Sequence, residues 1–203
     1  MQIIRRKVKY SVLLRACMIV YTPISFATIL QFSNLNFNYP GNQVDSSLSI
    51  VALFYMIAFP LLCLYILNSS RFNLENEDTK NAFDSIYDSI NTNSLIKRNF
   101  VVFYLIRKAL WPLFIVGYAD DPLYQIIGLI ILIVAIITLL ILKKPYKRES
   151  MNREYILNEF LVLIVLIMIA VNINLEYLGS DYLSLNIVVC LGWAMVAILS
   201  AVI

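Results

Sequence analysis

Histidine is absent from this 203-residue chain, cysteine occurs three times and glycine five times. Without histidine, the commonest zinc and haem ligand and the side chain that titrates near neutral pH are both missing. Cys17, Cys63 and Cys190 all fall inside apolar runs, and an odd number of cysteines so placed argues against a disulfide framework. They read as small, polarizable packing residues. No glycine-rich loop, paired carboxylates or nucleophile constellation occurs, so no catalytic site, cofactor or metal is expected. Charge is scarce as well: 14% of residues are Asp, Glu, Lys or Arg, against ~25% in a soluble domain. The net charge is only +3, and no nucleic-acid partner is expected.

What the chain has in abundance is apolar length. It is 61% hydrophobic with a mean hydropathy of +0.78, and the excess is gathered into runs. Crossing a bilayer takes about 20 apolar residues per helix, because the hydrocarbon is about 30 Å thick. Six runs meet that length, at about 8–31, 47–67, 100–118, 122–142, 155–175 and 182–203. The expected fold is all-α, a polytopic six-helix transmembrane bundle filling 1–203 as one domain, with the lipid bilayer as its first partner.

The charges between the runs alternate. Arg5, Arg6, Lys7 and Lys9 precede the first run, and Arg71, Lys80, Lys97 and Arg98 follow the second. Lys143, Lys144, Lys147, Arg148 and Arg153 lie between the fourth and fifth. The other three connections hold no Lys or Arg at all. Cytoplasmic loops collect Lys and Arg, so both termini are expected in the cytoplasm. The basic loop around Lys143, Lys144, Lys147 and Arg148 could meet anionic inner-leaflet lipids. In "GYADDP", Gly117 is placed to end one helix, Asp121 to cap the next and Pro122 to start it.

Segment 68–99 is the longest polar stretch. Ala82, Phe83, Ile86, Tyr87 and Ile90 recur at helical spacing within it, which predicts a short cytoplasmic amphipathic helix at about 81–90. Its polar face is acidic at Asp84 and Asp88, so docking on the protein itself is favoured over lying on lipid.

Arg15, Arg107, Lys108 and Glu159 are ionisable residues inside the runs. Each cation can snorkel to the inner interface, or Arg15 and Arg107 can meet Glu159 as an interhelical cluster. Lys108 points about 100° from Arg107 and so faces elsewhere, toward a lipid phosphate for example. Gln125, Asn158, Asn172 and Asn174 are the candidate polar lining, with Asn186 in the last run. No helix carries Arg or Lys at every third position, as a voltage sensor would require.

The order of short motifs is distinctive. "AFDSIYDSI" is followed by "FVVFYLIRKALWPLFI", an acidic turn, "PLYQIIGLIILIV", "KKPYK" and "NREYILNEFLVLIVL". Over about residues 82–175 this resembles the TRP-like, polycystin-like transmembrane region at the C-terminus of large ciliate membrane proteins. Tyr104, Arg107, Lys108, Gln125, Lys144, Pro145, Tyr146, Asn158 and Glu159 stand at the matching positions. The resemblance implies a cation-channel-type domain acting as a homo-oligomer or within a larger membrane assembly. It also implies that Arg107 and Lys108 hold a polar contact between helices. The alternative function is a non-conducting scaffold or anchor subunit with an inner-leaflet lipid or partner site. A solute transporter is weaker, for want of buried polar groups and broken-helix repeats.

Overall fold

The computed structural model describes residues 2–35, 39–69, 83, 86–87 and 89–177. Among these the helices are α1 (Gln2–Phe32), α2 (Pro40–Asn68), α3 (Leu95–Arg98), α4 (Phe100–Gly117), α5 (Pro122–Lys143) and α6 (Glu149–Tyr177). All except the single-turn α3 are long and apolar enough to cross a membrane. The chain is therefore an all-helical, multi-pass membrane protein. The sixth run at 182–203, with Asn186 and Cys190, lies outside the described residues.

Helix limits follow from local chemistry. Expected at 47, α2 begins instead at Pro40, after an extended Tyr39. Proline suits a first helical turn, where its missing N–H has no partner to lose. The polar "PGNQVDSS" thus continues the helix past its apolar part, and Ser47 Oγ donates to the Gln43 carbonyl at 2.7 Å. Similarly α6 starts at Glu149, upstream of Tyr155. A carboxylate suits that first turn, and it pairs with Arg153 one turn on at 3.6 Å.

Gly117 is the last residue of α4, and Pro122 the first of α5. Asp121 holds the N-cap position of α5, yet its side chain makes no capping hydrogen bond. Lys144 ends α5 in the left-handed region at φ 43°, its N–H donating to the Leu140 carbonyl at 3.1 Å. Pro145 follows, as is common after such a cap.

The described residues form two units. The first runs to Gly117 and takes in Pro145–Arg148; the second holds Tyr118–Lys144 and the helix from Glu149. Within the first, α1, α2 and α4 pack against one another around Tyr21, Phe59, Cys63, Leu67 and Leu105. Ile86 and Tyr87 join this core and are helical, with Phe83 half-buried beside them. Ala82, Asp84 and Asp88, expected on the same short helix, lie outside the described residues.

Ile90, expected on that helix too, is buried but pairs with Tyr146 as an isolated antiparallel bridge. Asn91 N–H donates to the Pro145 carbonyl at 2.8 Å and Lys147 N–H to that of Ser89 at 2.9 Å. Phe100 meets the Tyr146 ring edge-on at 5.6 Å. The segment before α3 is thereby tied to the "PYK" loop by main-chain bonds.

In the second unit α5 packs on α6. Ile126, Leu129, Ile133, Ile136 and Leu140 are buried on α5, at alternating steps of three and four. That is the heptad-like stripe of two nearly parallel or antiparallel helices. On α6 the buried residues Asn152, Glu159 and Leu166 also fall seven apart.

Candidate functional site

One concavity of the first unit begins with a proline. Pro60 lies inside α2 and has no N–H to give the Met56 carbonyl one turn back. A bare carbonyl in hydrocarbon is costly. Tyr21 of α1 supplies the missing donor, its hydroxyl reaching Met56 O at 2.8 Å. In return Tyr55 of α2 donates to the Cys17 carbonyl of α1 at 2.9 Å. The rings of Tyr21, Tyr55 and Phe59 cluster with centroids 5.5–6.0 Å apart, which fixes the two helices side by side. Farther along, Ser49 Oγ donates to the Thr28 carbonyl at 3.3 Å, where small buried residues (Ser25, Thr28, Ser46) allow close approach.

Where α4 completes the trio, a groove of about 410 Å³ remains. Tyr21 forms its floor; Met56, Ile57, Pro60, Leu61 and Leu64 of α2 form one wall, and Val102, Phe103, Ile106, Ala109 and Leu110 of α4 the other. Ile57 and Leu61 are 55% and 58% exposed, so the groove opens sideways, along helices whose apolar length suits lipid. From Asn99 to Leu110 it runs for about 16 Å of helix rise, which is half of a ~30 Å hydrocarbon layer.

One end is polar. Asn99, buried between α3 and α4, lines the groove. It accepts from Asn68 Nδ2 at 2.9 Å, and Asn68 Oδ1 accepts from Arg98 Nη2 at 2.8 Å. The last residue of α2 and the first of the α3–α4 junction are thus clamped together, with the Arg98 guanidinium two hydrogen bonds from the groove, through Asn68 and Asn99. Arg98 Nε is buried and has no hydrogen-bond acceptor among the described residues. Lys97, half-buried, adjoins it.

The residues singled out from sequence are distributed as follows. Arg107 is buried in α4, its guanidinium carbon 5.6 Å from the Tyr104 ring centre and 5.8 Å from that of Trp111. Lys108 is half-buried, with Nζ 5.1 Å from the same Tyr104 ring. Aromatic rings one turn away on the same helix therefore attend both charges, a contact worth more when desolvated than in water. Arg15 is exposed on α1. Arg107 belongs to the first unit and Glu159, buried on α6, to the second.

Asn158 is exposed and Gln125 half-buried, and the side chains of Asn172 and Asn174 lie outside the described residues. Of the basic loop, Lys147 and Arg148 are exposed in the first unit. Lys143 and Lys144 belong to the second, where Lys144 Nζ stands 4.0 Å from Glu149 Oε1.

Sequence reasoning missed Tyr21, Asn68, Arg98 and Asn99 as site residues. The one local signal was Pro60, whose carbonyl partner had to come from another helix. Asn68 and Asn99 bound the polar 68–99 segment, where nothing in the sequence set them apart.

Compared with protein-family models, curated proteins and solved structures, the chain matches none of them.

Proposed function

We propose that the chain is a membrane scaffold or anchor subunit whose α1–α2–α4 groove holds a lipid acyl chain. One observation carries the reading: the groove is apolar along both walls, open sideways, and half a bilayer long. An unbranched chain fills such a slot with dispersion contacts at little cost in polar desolvation. Lys and Arg are concentrated at the Asn99 end of α4 and in the loop after α5, so the groove belongs to the inner leaflet with both termini cytoplasmic. Buried charge on α4 is then a packing device: Arg107 is held on Tyr104 and Trp111.

Extraction in mild detergent followed by native mass spectrometry tests this. The expected result is about one phospholipid retained per chain, lost when Ile106→Trp fills the groove. A chain that sheds all lipid, or that keeps it unchanged in I106W, would sink the proposal. Orientation is tested separately by an impermeant thiol reagent on intact cells. A Cβ at Gly41 meets nothing within 4 Å, so Gly41→Cys is tolerated and is expected to react, whereas Ser150→Cys is not.

The second reading, a TRP-like cation-channel-type domain working in an oligomer, is supported by the motif order through Arg107, Lys108, Gln125 and Glu159. Discrete cation-selective openings in planar bilayers would favour it over the scaffold.

A further inference from the structure

Resting on the lipid-groove reading, we infer that the groove selects an anionic glycerophospholipid, with the phosphate seated at Arg98 and the Asn68–Asn99 pair. The apolar walls and the polar end are continuous through Asn99, which both lines the groove and bonds to Asn68. A molecule that places a chain along Val102, Ile106 and Leu61 with its head at the Asn99 end brings that head to the Asn68–Asn99 pair, to which Arg98 is bonded. Arg98 spends Nη2 on Asn68 Oδ1, while its Nε has no acceptor among the described residues. A guanidinium keeps its charge at any working pH and offers paired donors matched to phosphate oxygens. No carboxylate lies within ion-pair distance of it among the described residues, and Lys97 adds a second positive charge next door.

Zwitterionic lipids carry the same phosphate, but their ammonium offsets its charge beside two cations. A net negative head complements this end of the groove; a neutral one does not. The asparagine pair has a separate role. It holds the end of α2 against the start of α4, so that head and tail positions stay at fixed spacing.

The test uses the full chain in mild detergent, offered equal amounts of phosphatidylglycerol and phosphatidylcholine with identical acyl chains, and read by native mass spectrometry. Phosphatidylglycerol is expected to be retained about tenfold over phosphatidylcholine, the effect of one charge-assisted contact. Arg98→Gln, which keeps an amide donor for Asn68, is expected to bring the ratio near one without loss of bound lipid. Arg98→Lys is expected to leave a smaller preference that fades with salt. Arg153→Gln, exposed on α6, is expected to leave the ratio unchanged.

Equal retention of the two lipids by the unaltered chain overturns the head-group inference and leaves the groove reading standing. Loss of both lipids from the unaltered chain overturns the groove reading itself. A preference that survives in R98Q overturns the assignment to Arg98. Should R98Q not fold, the unaltered chain and R98K still decide: a preference insensitive to salt in R98K counts against the inference.

Discussion

Between α1 and α2 of the first unit, two tyrosine hydroxyls cross over to main-chain carbonyls; along α5 of the second, the buried face is an aliphatic stripe spaced like a heptad. The first arrangement is directional. It also tolerates a proline within each of α1, α2 and α4, at Pro23, Pro60 and Pro112. In α5 and α6 no proline interrupts the helix beyond the first turn. Uninterrupted helices match side-chain rows over many turns, whereas interrupted ones need local repairs. The repairs create hollows, and the groove over Tyr21 is one.

The comparison is most easily broken at Tyr21, which is fully buried. Tyr21→Ala removes the ring from its aromatic cluster and bares the Met56 carbonyl, with an expected cost of about 3–5 kcal/mol. A drop in the detergent unfolding midpoint no larger than that of an exposed apolar substitution such as Leu142→Ala would show that the clasp is incidental. Next comes Ile133→Ala in the α5 stripe, also fully buried, at about 2 kcal/mol. The low end applies because lipid, unlike water, is as apolar as the side chain removed, leaving mainly lost packing.

Tyr21→Phe sharpens the contrast at about 1 kcal/mol, since only the hydroxyl goes. Its cost should largely vanish in a Pro60→Ala background, where residue 60 recovers its own N–H for Met56. Additive losses in that double-mutant cycle would detach the hydroxyl from the proline. The smallest effect belongs to Glu149→Gln. Glu149, Arg153 and Lys144 have exposed side chains, so a midpoint change beyond ~0.5 kcal/mol equivalent would contradict the solvent-screened pair described above.

Apolar length made the spans of α4 and α5 legible, because hydrocarbon thickness fixes a run length that composition alone reveals. Helix starts were less so. Pro40 and Glu149 open helices in polar sequence, where hydropathy carries no signal and a first-turn residue must be recognised instead. The stacking of Arg107 on Tyr104 and Trp111 follows from spacings of three and four on one helix, and was readable in principle. Neither the groove nor the Asn68–Asn99–Arg98 network could be read that way. Each depends on which helices become neighbours, the network across about thirty residues of chain and the groove across many more, from Tyr21 to Leu110. The bridge of Ile90 to Tyr146 is a further case: a single pair has no alternation to detect.

The Tyr21–Met56 bond also orders events during synthesis. Emerging from the ribosome, α1 enters the membrane before α2 does, so its hydroxyl is already in place when the carbonyl left bare by Pro60 arrives. An α2 inserted alone would carry that carbonyl unsatisfied into the hydrocarbon, so the first helix brings to the second a hydrogen-bond donor that the second lacks by itself.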